Sequence, residues 1–306
     1  MVLLVADIGG TNTTIALVKK NKLLQKKHFL TQKIQSFPTL VNEYVNQSKT
    51  SVSRAVLSIA GPIQEEKGDV FSHLTNANVT ISQKELLKKT ALKKVTLLND
   101  LEALGYAINT LPTKERTVLV RAKNKQGPGL VFAIGTGLGK AVLEKTKKGF
   151  RPLASEFGET SPAINSQEEL DIVLFIQKKT KKKVIVFEDF LSGRGIEYIY
   201  EFYTKKVLLA QEVMSLKNKE AKKTRKLFST LLARACKNEV LNNLATTLYL
   251  GGGVLVKNPG LINKDFMKEF YLHDNKEHLH ILKQTKIILL NSYETTLKGC
   301  IVMGKL

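Results

Sequence analysis

The chain has 306 residues, 43% of them apolar, enough for two globular domains, and it contains no run of about 18 uninterrupted apolar residues, which excludes a membrane-spanning helix. Its formal net charge of +21 raises nucleic acid as a partner, but lysine supplies 41 of the 48 basic residues, scattered apart from dense patches around Lys178 to Lys183 and Lys217 to Lys226. Only seven are arginine, the residue that base and buried phosphate recognition favours, so solvated lysine-rich faces are expected rather than nucleic-acid binding.

The N-terminal stretch, residues 2–18, sets two β-branched apolar segments on either side of a polar turn containing Asp7, Gly9, Gly10, Thr11 and Asn12, and reads as a β-hairpin. An acidic group this early stands where a secretory signal would carry positive charge, so a cytoplasmic protein is expected. Paired glycines let backbone N–H groups approach a phosphate, Thr and Asn add donors, and a carboxylate can hold Mg²⁺ through water. A plain glycine turn is the alternative on this segment alone. Residues 23–31 alternate as a third strand would. The spacing of Phe37, Leu40, Val41 and Tyr44 predicts a helix over 31–48, with Pro38 near its start. A buried strand at 54–59 then ends in Ala60, Gly61 and Pro62, the kind of strand end where ligands gather.

Ser82 followed by Glu85 is a capping-box signature for a helix over 83–90. The strand 94–98 runs directly into Asn99 and Asp100, with a helix over 101–109 behind them. A carboxylate there is well placed for chemistry, although Asp is also a favoured helix N-cap. A brief strand is expected at 118–122. At 130–134 a second buried strand delivers Gly135, Thr136, Gly137, Leu138 and Gly139 before a strand resumes at 140–144. Two such glycine hairpins suggest two phosphate-binding turns in two related domains. Neither fits GxxxxGK[ST] and neither opens a helix, so the P-loop and dinucleotide-binding readings lose ground.

Glu156 and Glu159 lie three residues apart in a loop. Ser166 with Glu169 announces a helix over 166–180, and Glu188 precedes a Ser192–Gly193 turn at the entry to another. Residues 207–217 and 224–240 are helical by periodicity. A strand over 245–250 stops at Gly251, Gly252 and Gly253, which would let a flat group such as a purine lie against bare backbone, with a flexible turn as the alternative. A strand at 286–290 and a helix at 294–303 close the chain. Cys236 and Cys300 lack CxxC spacing and histidine neighbours, and read as buried thiols rather than a zinc site.

Taken together these motifs resemble the sugar kinases of the superfamily that also holds actin and the heat-shock ATPases, and within it bacterial-type glucokinase. DIGGTN at 7–12 looks like the first phosphate motif and IGTGLG at 134–139 the second. LGGGV at 250–254 is similar to the adenosine motif, LLND at 97–100 carries the catalytic aspartate position, and LSGRG at 191–195 resembles LSGPG. Five motifs in the correct order are far more specific than any one.

The resemblance implies an α/β, two-domain, actin-like ATPase (ribonuclease H-like) fold of duplicated βββαβαβα topology, with ATP and sugar in a cleft between the domains. The small domain would comprise 1–105 plus 293–306 and the large one 106–292. Asp100 would accept the proton of the sugar hydroxyl as it attacks the γ-phosphate, and Asp7 would bind Mg²⁺ through water. Nucleotide and phosphate would be held by Asp7, Gly9, Gly10, Thr11, Asn12, Gly135, Thr136, Gly137, Gly139, Gly251, Gly252 and Gly253. Sugar hydroxyls would be held by Asn76, Asn99, Asp100, Glu156, Glu159 and Glu188. The implied activity is ATP-dependent phosphorylation of glucose at its 6-hydroxyl, with another hexose or amino sugar, or a non-catalytic sugar sensor, as alternatives. Neither nucleic acid nor membrane is implied as a partner, and a homodimer is compatible with the family.

The chain departs from the pattern at the sugar loop, where EGGH is usual and Glu156, Phe157, Gly158, Glu159 stand instead. An acceptor carboxylate in place of imidazole changes which hydroxyl pattern is satisfied. The usual aromatic after Asn76 is absent, and Arg194 stands where proline is common. The cysteine-rich zinc motif and N-terminal helix-turn-helix of the related repressor-kinase family are both missing, which disfavours a DNA-binding regulator.

Overall fold

Near-continuous apolar runs cannot lie on a surface, and here they pair into two helix-covered sheets. The computed structural model describes residues 2–20, 22–74, 78–122, 127–292 and 295–306. The chain divides into one unit made of Met1–Leu111, Phe150–Pro152 and Glu294–Leu306, and a second made of Pro112–Gly149 and Leu153–Tyr293.

Among the described residues of the first unit, β1 (Val2–Ile8), β2 (Asn12–Lys19) and β3 (Lys22–Leu30) form an antiparallel meander. Helix α1 (Phe37–Ser48) leads to β4 (Arg54–Ile59), parallel to β1. A small antiparallel sheet of β5 (Gln64–Glu66), β6 (Asp69–Leu74) and β7 (Val79–Ser82) follows, then α2 (Gln83–Lys89). β8 (Lys94–Asn99) pairs parallel to β4 and runs into α3 (Asp100–Ile108). The main sheet order is β3-β2-β1-β4-β8. Because side chains alternate along a strand, Leu4, Ile8, Ile15 and Leu57 meet Phe37, Val41 and Tyr44 on one face, while Val5, Ala16, Val56 and Leu98 meet Ala103, Leu297 and Cys300 on the other. The second face is covered by α3 and by the C-terminal helix Thr295–Met303.

The helix expected from residue 31 begins later. Residues Thr31–Lys33 form a single 3₁₀ turn, and α1 starts at Phe37 behind Ser36, whose hydroxyl accepts from Thr39 N–H at 3.4 Å. The first unit's long segment also runs past α3. Asn109 brackets Phe150 with two hydrogen bonds, at 3.0 and 2.7 Å, and so ties Phe150–Pro152 to it.

In the second unit β9 (Arg116–Val120) precedes a meander of β10 (Gly129–Ile134), β11 (Leu138–Thr146) and β12 (Gly149–Ser155). Helices α4 (Gln167–Thr180), α5 (Gly193–Thr204), α6 (Ala210–Ser215) and α7 (Lys219–Asn243) come next. After them come β13 (Thr247–Gly251), α8 (Gly253–Lys257), α9 (Lys264–Phe270), α10 (Lys276–Lys283) and β14 (Lys286–Leu290). The order β12-β11-β10-β13-β14 repeats the first sheet, third-second-first-fourth-fifth, and β9 adds an antiparallel edge. The duplicated topology is therefore present.

The segment 207–217, read as one helix, keeps only α6. Leu216 is extended and Asn218 caps α7 instead, accepting from Ala221 N–H at 2.8 Å. Helix α7 spans 25 residues, longer at both ends than the expected 224–240, and it carries buried charges within that stretch. Arg234 pairs with Glu169 at 2.7 Å and with Glu269 at 3.1 Å, and Lys237 joins Glu269 at 3.1 Å, tying α7 to α4 and α9.

Candidate active site

Parallel neighbours deliver their carboxyl ends to one edge. In the first unit Asp7 lies opposite Ser58, and Ile8 aligns with Ile59, which aligns with Asn99. Asp7, the turn after β1, the Ala60–Gly61 turn after β4 and the Asn99–Asp100 pair after β8 therefore share one edge, the usual place for ligands in such sheets.

The hairpin tip is locked from inside. Gly9 N–H donates to Asn12 O at 2.9 Å, Thr31 N–H to Thr11 O at 2.9 Å, and the Thr31 hydroxyl to Gly9 O at 2.7 Å. Thr31 is buried, while Thr11 and Asn12 are exposed and Gly10 partly so. The tip is thus rigid inside, with its polar groups turned to solvent. Thr31, assigned by its sequence neighbours to a helix, is the residue that holds this turn.

Asp7 is partly buried, and burial pushes its carboxyl above the usual range against the opposing hydroxyls of Thr296 and Ser58. Thr296, from the C-terminal helix, donates to Oδ2 at 2.7 Å, and Ser58 to Oδ1 at 3.5 Å. Each carboxylate oxygen retains acceptor capacity. No group of three His, Cys, Asp or Glu among the described residues could enclose a metal by itself. Asp7 offers a carboxylate at this edge, and Mg²⁺ is a cation that one or two carboxylates with waters and phosphate oxygens can hold.

The cap of α3 is Asn99, not Asp100. Asn99 Oδ1 accepts from Leu101 N–H at 2.8 Å, Glu102 returns a bond to Asn99 N–H at 3.1 Å, and Asn99 Nδ2 donates to Gly61 O at 3.1 Å. Asp100 becomes the first helical residue, partly buried, with Oδ1 accepting from Leu101 N–H at 2.9 Å. The positive end of the helix stabilises a carboxylate at that position. Asn76 lies outside the described residues.

In the second unit the same logic brings Gly135, Thr136 and Gly137, at the β10–β11 tip, beside the glycine triplet after β13. Ala133 aligns with Gly139 on one side and with Gly251 on the other. Gly252 has φ of +90°, and a Cβ there would lie 2.4 Å from both N and O of Ile134, so only glycine lets the triplet sit against the end of β10. Gly253 opens α8. From the other side Gly193, the first residue of α5, donates its N–H to Gly135 O at 2.9 Å.

Glu156 precedes the 3₁₀ turn Phe157–Glu159 and Glu159 ends it, and Glu188 sits on the turn Phe187–Asp189. Phe157 fastens the two turns together. It stacks on Phe187 at 4.9 Å and meets Phe132 edge-on at 5.4 Å, while Phe187 N–H donates to Thr160 O at 2.8 Å. Partial burial, then the charges of Glu159 and Glu188, hold the Glu156 carboxyl above its usual range. Glu188 also reaches the phosphate hairpin: Oε2 accepts from Leu138 N–H at 3.0 Å and Oε1 from Arg194 Nη2 at 3.1 Å.

One feature had no signal in the sequence. At the far end of α8 a cavity of about 400 Å³ is lined by Met214, Arg225, Asn258, Leu261 and Asn263, among others. It is assembled from α6, α7 and the turns around α9, and Arg225 shapes it by donating to Val213 O at 3.2 Å and Leu216 O at 2.9 Å.

The family model described as Glucokinase matches residues 4–305. A glucokinase of Colwellia psychrerythraea is 31% identical, over 93% of this chain and 91% of its own length. Among solved structures, a glucokinase from an Antarctic psychrotroph superposes with a TM-score of 0.80 at 25% identity, covering 99% of this chain and 98% of that one. The glucokinase of Balamuthia mandrillaris in complex with glucose gives 0.84 at 23% identity, covering 100% and 94%, a likeness of fold. A whole-length family match laid over two duplicated sheets, with the expected motifs at their carboxyl edges, places this chain in the glucokinase family of sugar kinases.

Proposed function

We propose that the enzyme transfers the γ-phosphoryl group of ATP to the 6-hydroxyl of glucose, at the entry of glycolysis in the cytoplasm. The observation that carries this reading is Asp100, the first residue of α3, on the sheet edge that also holds Asp7 and the Gly9–Gly10 turn. In the step proposed, the sugar oxygen forms a bond to the γ-phosphorus, the bond from that phosphorus to the ADP oxygen breaks, and Asp100 takes the hydroxyl proton. Such transfer needs chiefly positioning and charge stabilisation. Asp7 would hold Mg²⁺ through water, and the ion would offset phosphate charge.

The cavity beyond α8 falls within the roughly 300–1,000 Å³ usual for small-molecule sites, and we assign it to the nucleoside. Glu156, Glu159 and Glu188 form an acceptor-rich set for hydroxyls. Glu159 in place of the imidazole favours a second reading, the same reaction on another hexose.

A panel of hexoses and amino sugars assayed with ATP and Mg²⁺ tests both. Turnover of glucose is expected, and turnover of only a different sugar would replace the first reading by the second. Asp100→Ala is expected to lower kcat by at least about 100-fold with nucleotide binding retained. Near-normal turnover in that variant would remove Asp100 as the base.

A further inference from the structure

Glu188 is the point where two functions touch. Its two oxygens are held from opposite partners, one by the Leu138 N–H of the second phosphate hairpin and one by the Arg194 guanidinium. Arg194 stands in the first turn of α5, next to Gly193, whose N–H holds the same hairpin at Gly135 O. The side chain of Arg194 is 54% exposed and that of Glu188 24% exposed, so the pair sits at the rim, open to a ligand, and not in the core. With one bond accepted at each oxygen, each retains a lone pair for a hydroxyl proton.

We propose that Arg194 is a positioning residue for sugar binding: its guanidinium fixes the orientation of Glu188 and offsets one negative charge in the cluster of Glu156, Glu159 and Glu188. The inference rests on the reading of these carboxylates as the hexose site. Carboxylates near one another repel: the Glu156 carboxyl is raised first by its burial and then by the charges of Glu159 and Glu188. Arg194 is a cation paired directly with a member of the cluster, Glu188. It stands where LSGPG has proline, and Glu159 stands where EGGH has histidine. The two departures thus add one negative and one positive charge to the same cluster, and the ion pair shows where the added positive charge goes.

The test is calorimetric titration of glucose into the full-length wild type, Arg194→Ala, Arg194→Lys, Glu188→Gln and the double variant Glu188→Gln/Arg194→Ala, without nucleotide. Glucose binding by the wild type checks the underlying reading first, and its absence would sink that reading and this inference together. Given binding, Arg194→Ala is expected to weaken glucose about tenfold, the scale of one charge-assisted hydrogen bond discounted for exposure. Arg194→Lys should recover most of the loss. In the Glu188→Gln background the Arg194→Ala change should alter affinity less than about twofold, because its partner charge is gone. In steady-state assays Arg194→Ala should raise KM for glucose more than it lowers kcat. An unchanged glucose affinity in Arg194→Ala, or an equal loss with and without Glu188, would overturn the proposal while leaving the hexose reading intact. A rise confined to the KM for ATP would overturn it too, and would assign the guanidinium to the nucleotide phosphates.

Discussion

Adding one carbon at Gly137 sets the second phosphate hairpin against the carboxylate it holds. A Cβ there would lie 2.5 Å from Glu188 Oε2 and 3.2 Å from Glu188 Cδ. The obstacle is the end of a flexible side chain, so Gly137→Ala should displace the carboxylate and leave the backbone in place. The Leu138 N–H bond at 3.0 Å is then lost. A hydrogen bond to a charged group is worth about 1.5–3 kcal/mol, and if that loss passes wholly into sugar binding, glucose affinity falls roughly ten- to hundredfold. Gly252→Ala is the contrasting perturbation. Its Cβ would meet backbone N and O of Ile134 at 2.4 Å, at φ of +90°, and neither can give way, so about 2–5 kcal/mol of stability should be lost. The chain has no tryptophan to report binding by fluorescence, so titration calorimetry with glucose and differential scanning calorimetry are the assays. A Gly137→Ala protein that binds glucose like the wild type, or whose Tm falls as far as that of Gly252→Ala, refutes the reasoning.

Two further outcomes follow from charge. A raised carboxyl such as Glu156 is costly to ionise, so its contribution to stability is present at low pH and is lost as pH rises through its folded value, while its hydroxyl-accepting form disappears as pH falls, earlier than for an ordinary glutamate. Glucose affinity should therefore begin to decline above the usual carboxylate range, and Glu159→Gln should move that decline to lower pH by removing a like charge; an acid limb that stays in place in this variant refutes the coupling. In the core, Arg234→Ala leaves Glu169 buried without its cation, and urea denaturation should show a loss of about 3–5 kcal/mol. A loss below about 1 kcal/mol would mean that α4 and α7 are held by apolar packing alone.

Much of the site was legible because its signals are contiguous. An apolar strand that ends in glycine and threonine, twice, can be read without knowing what surrounds it, as can Ser82 and Ser166 capping their helices at 3.0 and 3.2 Å. Local chemistry misled where two neighbours compete for one role. Asn99 and Asp100 are both good caps, and the backbone turn at the end of β8 gives the cap to the first of them. Thr31 looked like a helix start, but its partners are Gly9 and Thr11, across the sheet. Helices α8 to α10 are short, and their burial is decided by neighbours rather than by a long periodic face.

By itself, then, the sequence determined most strands of the two main sheets, the glycine turns that end them, most caps and the order of motifs, since each depends on residues a few positions apart. Only the tertiary structure decided which groups face one another. Glu188 reaches Leu138 across 50 residues, and Thr296 reaches Asp7 across 289. Such pairs are set by sheet order and by where the last helix packs. A hydrogen-bonding group will accept any partner of suitable chemistry, and only the packed fold leaves it a single one within reach.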